Sequence, residues 1–165
     1  MLIRRAYKTE LDPNETQRRF FERSASARRW AWNQALAVHQ RYYRECGVTL
    51  TYARLNRLLT TWKRHPANAW TYDVCNYCFQ SALQDLTKAF RNFFEGRARY
   101  PRFQSRHGRK SFRIYGTIYA DERAVRLPKI GWVKLKERGY LPVGVKPISC
   151  TISERGGRWF VSFQV

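Results

Sequence analysis

The sequence predicts an α+β fold: a small antiparallel β-barrel with a helical bundle inserted after its first strand. Three observations carry this. Residues 2–11 alternate roughly apolar and basic side chains (Ile3, Arg4, Ala6, Lys8), the period of a strand, until Asp12-Pro13-Asn14 breaks the run. From Asn14 to Phe94 apolar residues recur almost throughout at helical spacing. Beyond Ser111 the chain falls into short alternating runs separated by Pro and Gly turns. The first strand needs a sheet to join, and that barrel is the only candidate. The expected organisation is therefore 1–11 as first barrel strand, 12–96 as helical insertion, 97–110 as basic connector and 111–165 as the rest of the barrel.

Taken in order, Asn14 with Gln17 three residues later resembles a capping box and opens a helix. Phe20, Phe21, Ala27, Trp30, Ala31 and Leu36 form its apolar stripe toward Arg44, and small residues at 24–27 mark a bend or a close helix crossing. Gly47 ends it. Thr51 caps a second helix burying Leu55, Leu58, Leu59 and Trp62, which His65-Pro66 stops. A third helix is expected from Thr71 or Asp73, with Val74, Phe79, Ala82, Leu83, Leu86, Phe90, Phe93 and Phe94 as its apolar stripe. Asn76 and Gln80, four apart on its first turns, face the same way. Such amides suit bidentate reading of a base edge, although spacing alone also fits a plain solvated face. Trp30 and Phe79 are expected in the core. Strands are expected at 111–119, 124–127, 132–135, 146–153 and 159–165, with Glu154-Arg155-Gly156-Gly157 as a hairpin turn.

The charge narrows the function. Thirty-two Lys and Arg against 12 Asp and Glu leave a formal charge of +20 on 165 residues. So large an imbalance opposes compaction through self-repulsion and calls for a polyanionic partner. Nucleic acid fits. A membrane does not, because no long apolar run exists and the basic residues are spread over the whole length. From Arg97 to Arg113 the chain carries Arg97, Arg99, Arg102, Arg106, Arg109, Lys110 and Arg113 among Tyr100, Phe103 and Phe112, with no acidic residue. Arginine offers planar paired donors to phosphate and the rings offer stacking faces. A solvated linker is the plainer reading of the same charge. Cys75 and Cys78 form a lone CxxC at helical spacing, which points to buried thiols rather than a zinc site. The charged start carries no secretory pattern, so a cytoplasmic, nucleoid-associated protein is expected.

Several segments together resemble one family. Pro13-Asn14 with Gln17 is similar to the "YPNxxQ" element of TnpB, the transposon-encoded RNA-guided DNA nuclease. Arg28-Arg29-Trp30-Ala31-Trp32-Asn33 resembles its "xRFVxN" helix, and Ala82-Leu83-Gln84-Asp85-Leu86 its "ALQxxLxxL". Pro101-Arg102-Phe103 with Ser111-Phe112 resembles "PRFKxK…SY/F", and Leu127-Pro128-Lys129-Ile130-Gly131-Trp132-Val133-Lys134 resembles "LPKLGxVK". The five stand in the family's order over nearly the whole chain.

The resemblance implies a wedge-like barrel interrupted by a helical recognition bundle. Together these hold a guide RNA, grip its heteroduplex with double-stranded target DNA, and read a short motif beside the target. By position it implies that Tyr52, Gln80 and Thr117 approach the motif. Asn56 and Asn76 occupy neighbouring reading positions with residues that differ from the family's. Arg28, Arg29, Arg102, Arg106, Arg109, Lys110, Arg113, Lys129 and Lys134 are the candidates for RNA or phosphate contact. The family's nuclease part, a RuvC-like domain with divalent metal (Mg) and a zinc ribbon with structural zinc, has no counterpart in these residues. Neither cofactor is therefore expected here, no catalytic or metal residue is assigned, and cutting would fall to downstream sequence or a separate nuclease-bearing chain. Two other classes fit the composition: a stand-alone DNA-binding regulator derived from a transposon protein, and a generic binder of structured RNA.

Overall fold

The computed structural model describes residues 5–165 apart from Val143 and Val145. It divides into two units, Met1–Ala25 with Arg109–Val165, and Ser26–Gly108. The first is built on seven strands: β1 (Ala6–Asp12), β2 (Ser111–Tyr115), β3 (Tyr119–Ala120), β4 (Ala124–Leu127), β5 (Gly131–Leu135), β6 (Ser149–Arg155) and β7 (Arg158–Gln164). They pair antiparallel in the order β2-β6-β7-β1-β5-β4-β3. The N-terminal strand does join the later ones, as its pattern requires; Leu2–Arg4 of the expected strand lie outside the described residues.

Closure into a barrel is the expectation that fails. Among the described residues no ladder joins β2 to β3, so the sheet is open. The reason is a second layer. A sheet's apolar face can be covered by curling on itself or by another element. Here helix α1 (Glu15–Cys46) begins on that face. Phe21 is fully buried, with its ring centroid 5.3 Å from that of Trp159 and 6.1 Å from that of Phe112. The core also includes Leu11, Ile114, Val125, Leu127, Val133, Leu135, Cys150, Ile152, Val161 and Phe163, alternate residues of the strands.

Turn chemistry sets the strand ends. Arg155 and Arg158 close the β6–β7 hairpin around Gly156 and Gly157, both with positive φ (60° and 79°), as a two-residue turn demands. The expected strand 111–119 is instead two, β2 and β3, because Gly116 takes φ 88° between them. Thr117 consequently sits in a loop and not on a strand.

The predicted capping box is present. Asn14 N donates to Gln17 Oε1 and Gln17 N to Asn14 Oδ1, both at 2.9 Å. Gln17 has a second use: its Nε2 donates to the Trp132 carbonyl at 2.9 Å, tying the helix start to β5. No interruption marks residues 24–27. Ser24, Ala25 and Ala27 are small because they are buried. Gly47, at φ 65°, ends the helix by donating to the Tyr43 carbonyl at 2.9 Å.

The second unit contains the remainder of α1, helix α2 (Tyr52–Arg64), a 3₁₀ segment (Pro66–Asp73) and helix α3 (Tyr77–Phe94). Thr51 caps α2 through Oγ1, which accepts from Arg54 N. The third helix starts later than its pattern suggested: Val74 is extended, yet still buried. Pro66 fixes the preceding turn as 3₁₀, and Asn68 kinks it (φ −107°, ψ 18°). Ala31, Leu36, Leu55, Leu59, Phe79, Leu83 and Leu86 form the core. Phe79 is central as expected, but Phe94, in the last turn of the expected stripe, is exposed because the helix there has run past the core. Trp30 is only half-buried, edge-on to Trp62, Trp70 and Phe79.

Candidate nucleic-acid interface

Three of the five residues expected to read bases meet in one place. Asn56, on α2, and Asn76 and Gln80, at the start of α3, line a groove of about 330 Å³ together with Thr60, Lys63, Arg64 and Tyr72. The helical period brings them there: Asn56, Thr60, Lys63 and Arg64 share one face of α2, and Asn76 and Gln80 one face of α3. Tyr52, a turn before Asn56, packs half-buried against the unit's core and does not line the groove. Thr117 belongs to the other unit and is exposed.

The groove is already organised. Lys63 Nζ donates to Asn76 Oδ1 at 2.8 Å and lies 5.1 Å from the ring centroids of both Tyr72 and Phe79. An ammonium has donors only, so the amide atom it meets is the oxygen. Asn76 Nδ2 is then the group left for an acceptor on a base edge. Asn76 stands at the N-cap of α3 without a side-chain cap bond, so its amide is not used by the helix. Lys63, Arg64 and Tyr72 went unnamed in the sequence. The signal was available for two of them, since Lys63 and Arg64 lie seven and eight positions after Asn56.

The basic connector is not a loose linker. Asn33 and Gln104 exchange two bonds, Nδ2 to the Gln104 carbonyl at 3.0 Å and Gln104 N to Oδ1 at 2.8 Å. Trp32 Nε1 donates to the Arg102 carbonyl at 2.8 Å. Arg28 holds the same stretch, bonding Gln104 Oε1 and Asp85 Oδ2, each at 3.2 Å. With 17% of its side chain exposed, Arg28 is a strut within the unit. Arg29 is half-buried; Arg102 and Arg106 are exposed beside Phe103. Fixing the backbone from behind leaves those side chains outward on an ordered strip.

In the β unit, Arg109, Lys129 and Lys134 are exposed and Arg113 is half-buried on the outer face of β2. Lys129 occupies the turn after Pro128 with φ 68°. Lys110 is engaged by Glu22 at 2.9 Å. On the same sheet Glu10, 11% exposed, accepts from Arg158 (2.8 and 2.5 Å) and pairs with Lys136 at 2.9 Å. Hydrogen bonds from Arg158 and then Lys136 hold its carboxyl down to about 2, against an ordinary 4.5. Among the described residues no three His, Cys, Asp or Glu side chains gather as a metal site, and Cys75 and Cys78 are buried in the helical unit. No helix among the described residues is long and apolar enough to cross a membrane.

Comparison with known proteins defines the class first. Residues 1–47 match a family model described as a helix-turn-helix domain. Its described residues hold one strand and one uninterrupted helix, with no second helix joined by a turn. The particular relatives follow. The chain is 31% identical over 161 residues to a protein of Escherichia coli (strain K12) named "Putative RNA-guided DNA endonuclease InsQ". It is likewise 31% identical over 170 residues to one of Streptomyces pristinaespiralis named "Putative RNA-guided DNA endonuclease". The matches cover 96% and 97% of this chain but 40% and 41% of those proteins. The chain is thus similar to these two proteins over nearly all its own length, and spans about two fifths of theirs.

Proposed function

We propose that this chain is the nucleic-acid-holding part of an RNA-guided DNA endonuclease system, binding a guide RNA and target DNA and reading a short motif beside the target. The observation that carries this is the meeting of Asn56, Asn76 and Gln80 with Lys63 and Arg64 in one groove of a homologue of such proteins. In this division of labour, base pairing reads the target and the protein reads only the adjacent motif and the backbone. The amides present paired donors and acceptors to base edges. Lys63 and Arg64 supply charge for the flanking phosphates, and the connector arginines hold backbone without regard to sequence. On this reading strand scission falls to residues other than these.

The test begins at purification. The protein is expected to carry RNA, giving a high 260/280 nm absorbance ratio that falls after RNase treatment. Gln80→Ala is then expected to relax preference at one position of the motif, by roughly 1–3 kcal/mol of discrimination, and to leave RNA affinity unchanged. An RNA-free protein that binds a short duplex tightly would mark a stand-alone regulator instead. Duplex binding indifferent to sequence would mark a reader of RNA shape.

A further inference from the structure

The outer face of β3, β4 and β5 carries an arrangement that neither the groove nor the connector uses. Tyr119 pairs across the ladder with Arg126, and Arg126 with Trp132. Directly opposed residues of antiparallel strands share a face, so these three form a single row over three strands. Their neighbours Val125 and Val133 point the other way and are fully buried. Tyr119 is 52% and Trp132 50% exposed, and the Arg126 guanidinium lies 5.7 Å from the Tyr119 ring centroid. Beside the row, Lys134 shares the Trp132 face of β5 and is exposed; Arg123 and Lys129 are exposed in the adjoining turns.

Single exposed aromatics are ordinary, but an aromatic–arginine–aromatic row at consecutive register positions is not explained by packing. It is also held firmly. The Trp132 carbonyl accepts from Gln17 Nε2, whose own amide oxygen is locked in the capping box with Asn14. The Trp132 backbone is thereby fixed at the very position that presents the ring.

We propose that Tyr119, Arg126 and Trp132 form a stacking platform for bases of an unpaired nucleic-acid strand. Charge complementarity selects this occupant: the row is centred on a guanidinium, flanked by Lys134, Arg123 and Lys129, and belongs to a chain of formal charge +20. Geometry selects an unpaired strand over a duplex. Tyr119 and Trp132 stand two strands apart, about 10 Å, roughly three times the 3.4 Å rise between stacked bases. Bases on both rings are therefore splayed, which an unpaired strand permits and a regular duplex does not. The platform deepens the reading of the chain as a nucleic-acid holder and rests on it.

The experiment measures affinity of the RNase-treated, full-length protein for a labelled unpaired ten-nucleotide RNA, the same sequence as DNA, and a duplex of equal length. Trp132→Ala and Tyr119→Ala are each expected to weaken single-strand binding roughly 5- to 150-fold, the span of one lost base stack. Trp132→Phe is expected to restore most of the loss. The salt slope is expected to stay unchanged, because stacking releases no counterions, and duplex affinity is expected to stay within twofold. Loss in both single strands assigns the platform to bases in general, and loss in RNA alone assigns it to RNA. If wild-type protein binds the strands and both alanine variants bind within twofold of it, the platform is wrong while the broader function stands. An equal loss on duplex also overturns it. If wild-type protein binds no nucleic acid at all, both readings fall.

Discussion

The two units draw on the same kinds of residue, aromatic and basic, and place them differently. In the helical unit Trp30, Trp62 and Phe79 pack edge to edge at the core, with Trp70 at their margin, while Tyr72, Phe94 and Phe103 stay exposed at separate places around the helices and the connector. In the β unit Phe21, Phe112 and Trp159 fill one side of the sheet while Tyr119 and Trp132 remain on the other. The difference follows from period. A helix among helices gathers its apolar residues on one stripe and leaves amides and charges on the other, so the groove groups that α2 and α3 supply are Asn, Gln, Lys and Arg, with Tyr72 added by the 3₁₀ segment between them. A strand alternates, and a sheet covered on one face must show every second residue, so its candidate groups include rings. On the proposed function, the groove offers hydrogen bonds to base edges and the sheet's row of rings offers stacking on base faces.

The largest effect expected tests whether the units stand on separate cores. Phe79→Ala should destabilise the helical unit by about 3–5 kcal/mol, the usual cost of emptying a buried phenylalanine site. Amide exchange should accelerate in α2 and α3 while β6 and β7 keep their protection. Phe21→Ala should do the reverse. Equal loss of protection everywhere would merge the two units into one cooperative whole.

A smaller loss, about 1–3 kcal/mol by denaturant titration, is expected for Arg28→Ala. It removes the partly buried guanidinium that bonds Asp85 and Gln104. If Arg28 served only phosphate, stability would be untouched and affinity alone would fall. Arg102→Ala and Arg106→Ala should show that opposite pattern. Stability should hold, binding should weaken for every sequence, and the slope of log affinity against log salt should shrink by about 0.7–0.9 for each phosphate no longer neutralised.

The smallest effect belongs to Glu10. Its pKa is depressed on folding, so the folded state binds its proton less readily than the unfolded one. The stabilisation is complete above the ordinary value of 4.5 and is lost as pH falls toward about 2. Glu10→Gln should flatten that segment of the stability–pH curve in the β unit; an unchanged curve would free Arg158 and Lys136 of this role.

Much of this was legible in the residues. The capping box at Asn14 and Gln17, the Thr51 cap, the stops at Gly47 and Pro66 and the Gly156-Gly157 hairpin are local bonds between near neighbours, and their spacing announces them. The joint face of Asn76 and Gln80 was visible for the same reason. Arg28 shows the limit. As one arginine among many on a helix it looked like surface charge, and only the distant Asp85 and Gln104 made it a strut.

By itself, then, the order of residues determined the α+β class, the positions of most elements, the large excess of positive charge and the family resemblance, because each depends on composition or short-range periodicity. Tertiary structure alone decided that the sheet stays open over Phe21, that Asn56 meets Asn76 and Gln80 around Lys63, and that Tyr119, Arg126 and Trp132 fall into one row. Those are pairings between residues far apart in the chain, and strand register and helix packing are set by mutual burial, which no local spacing encodes.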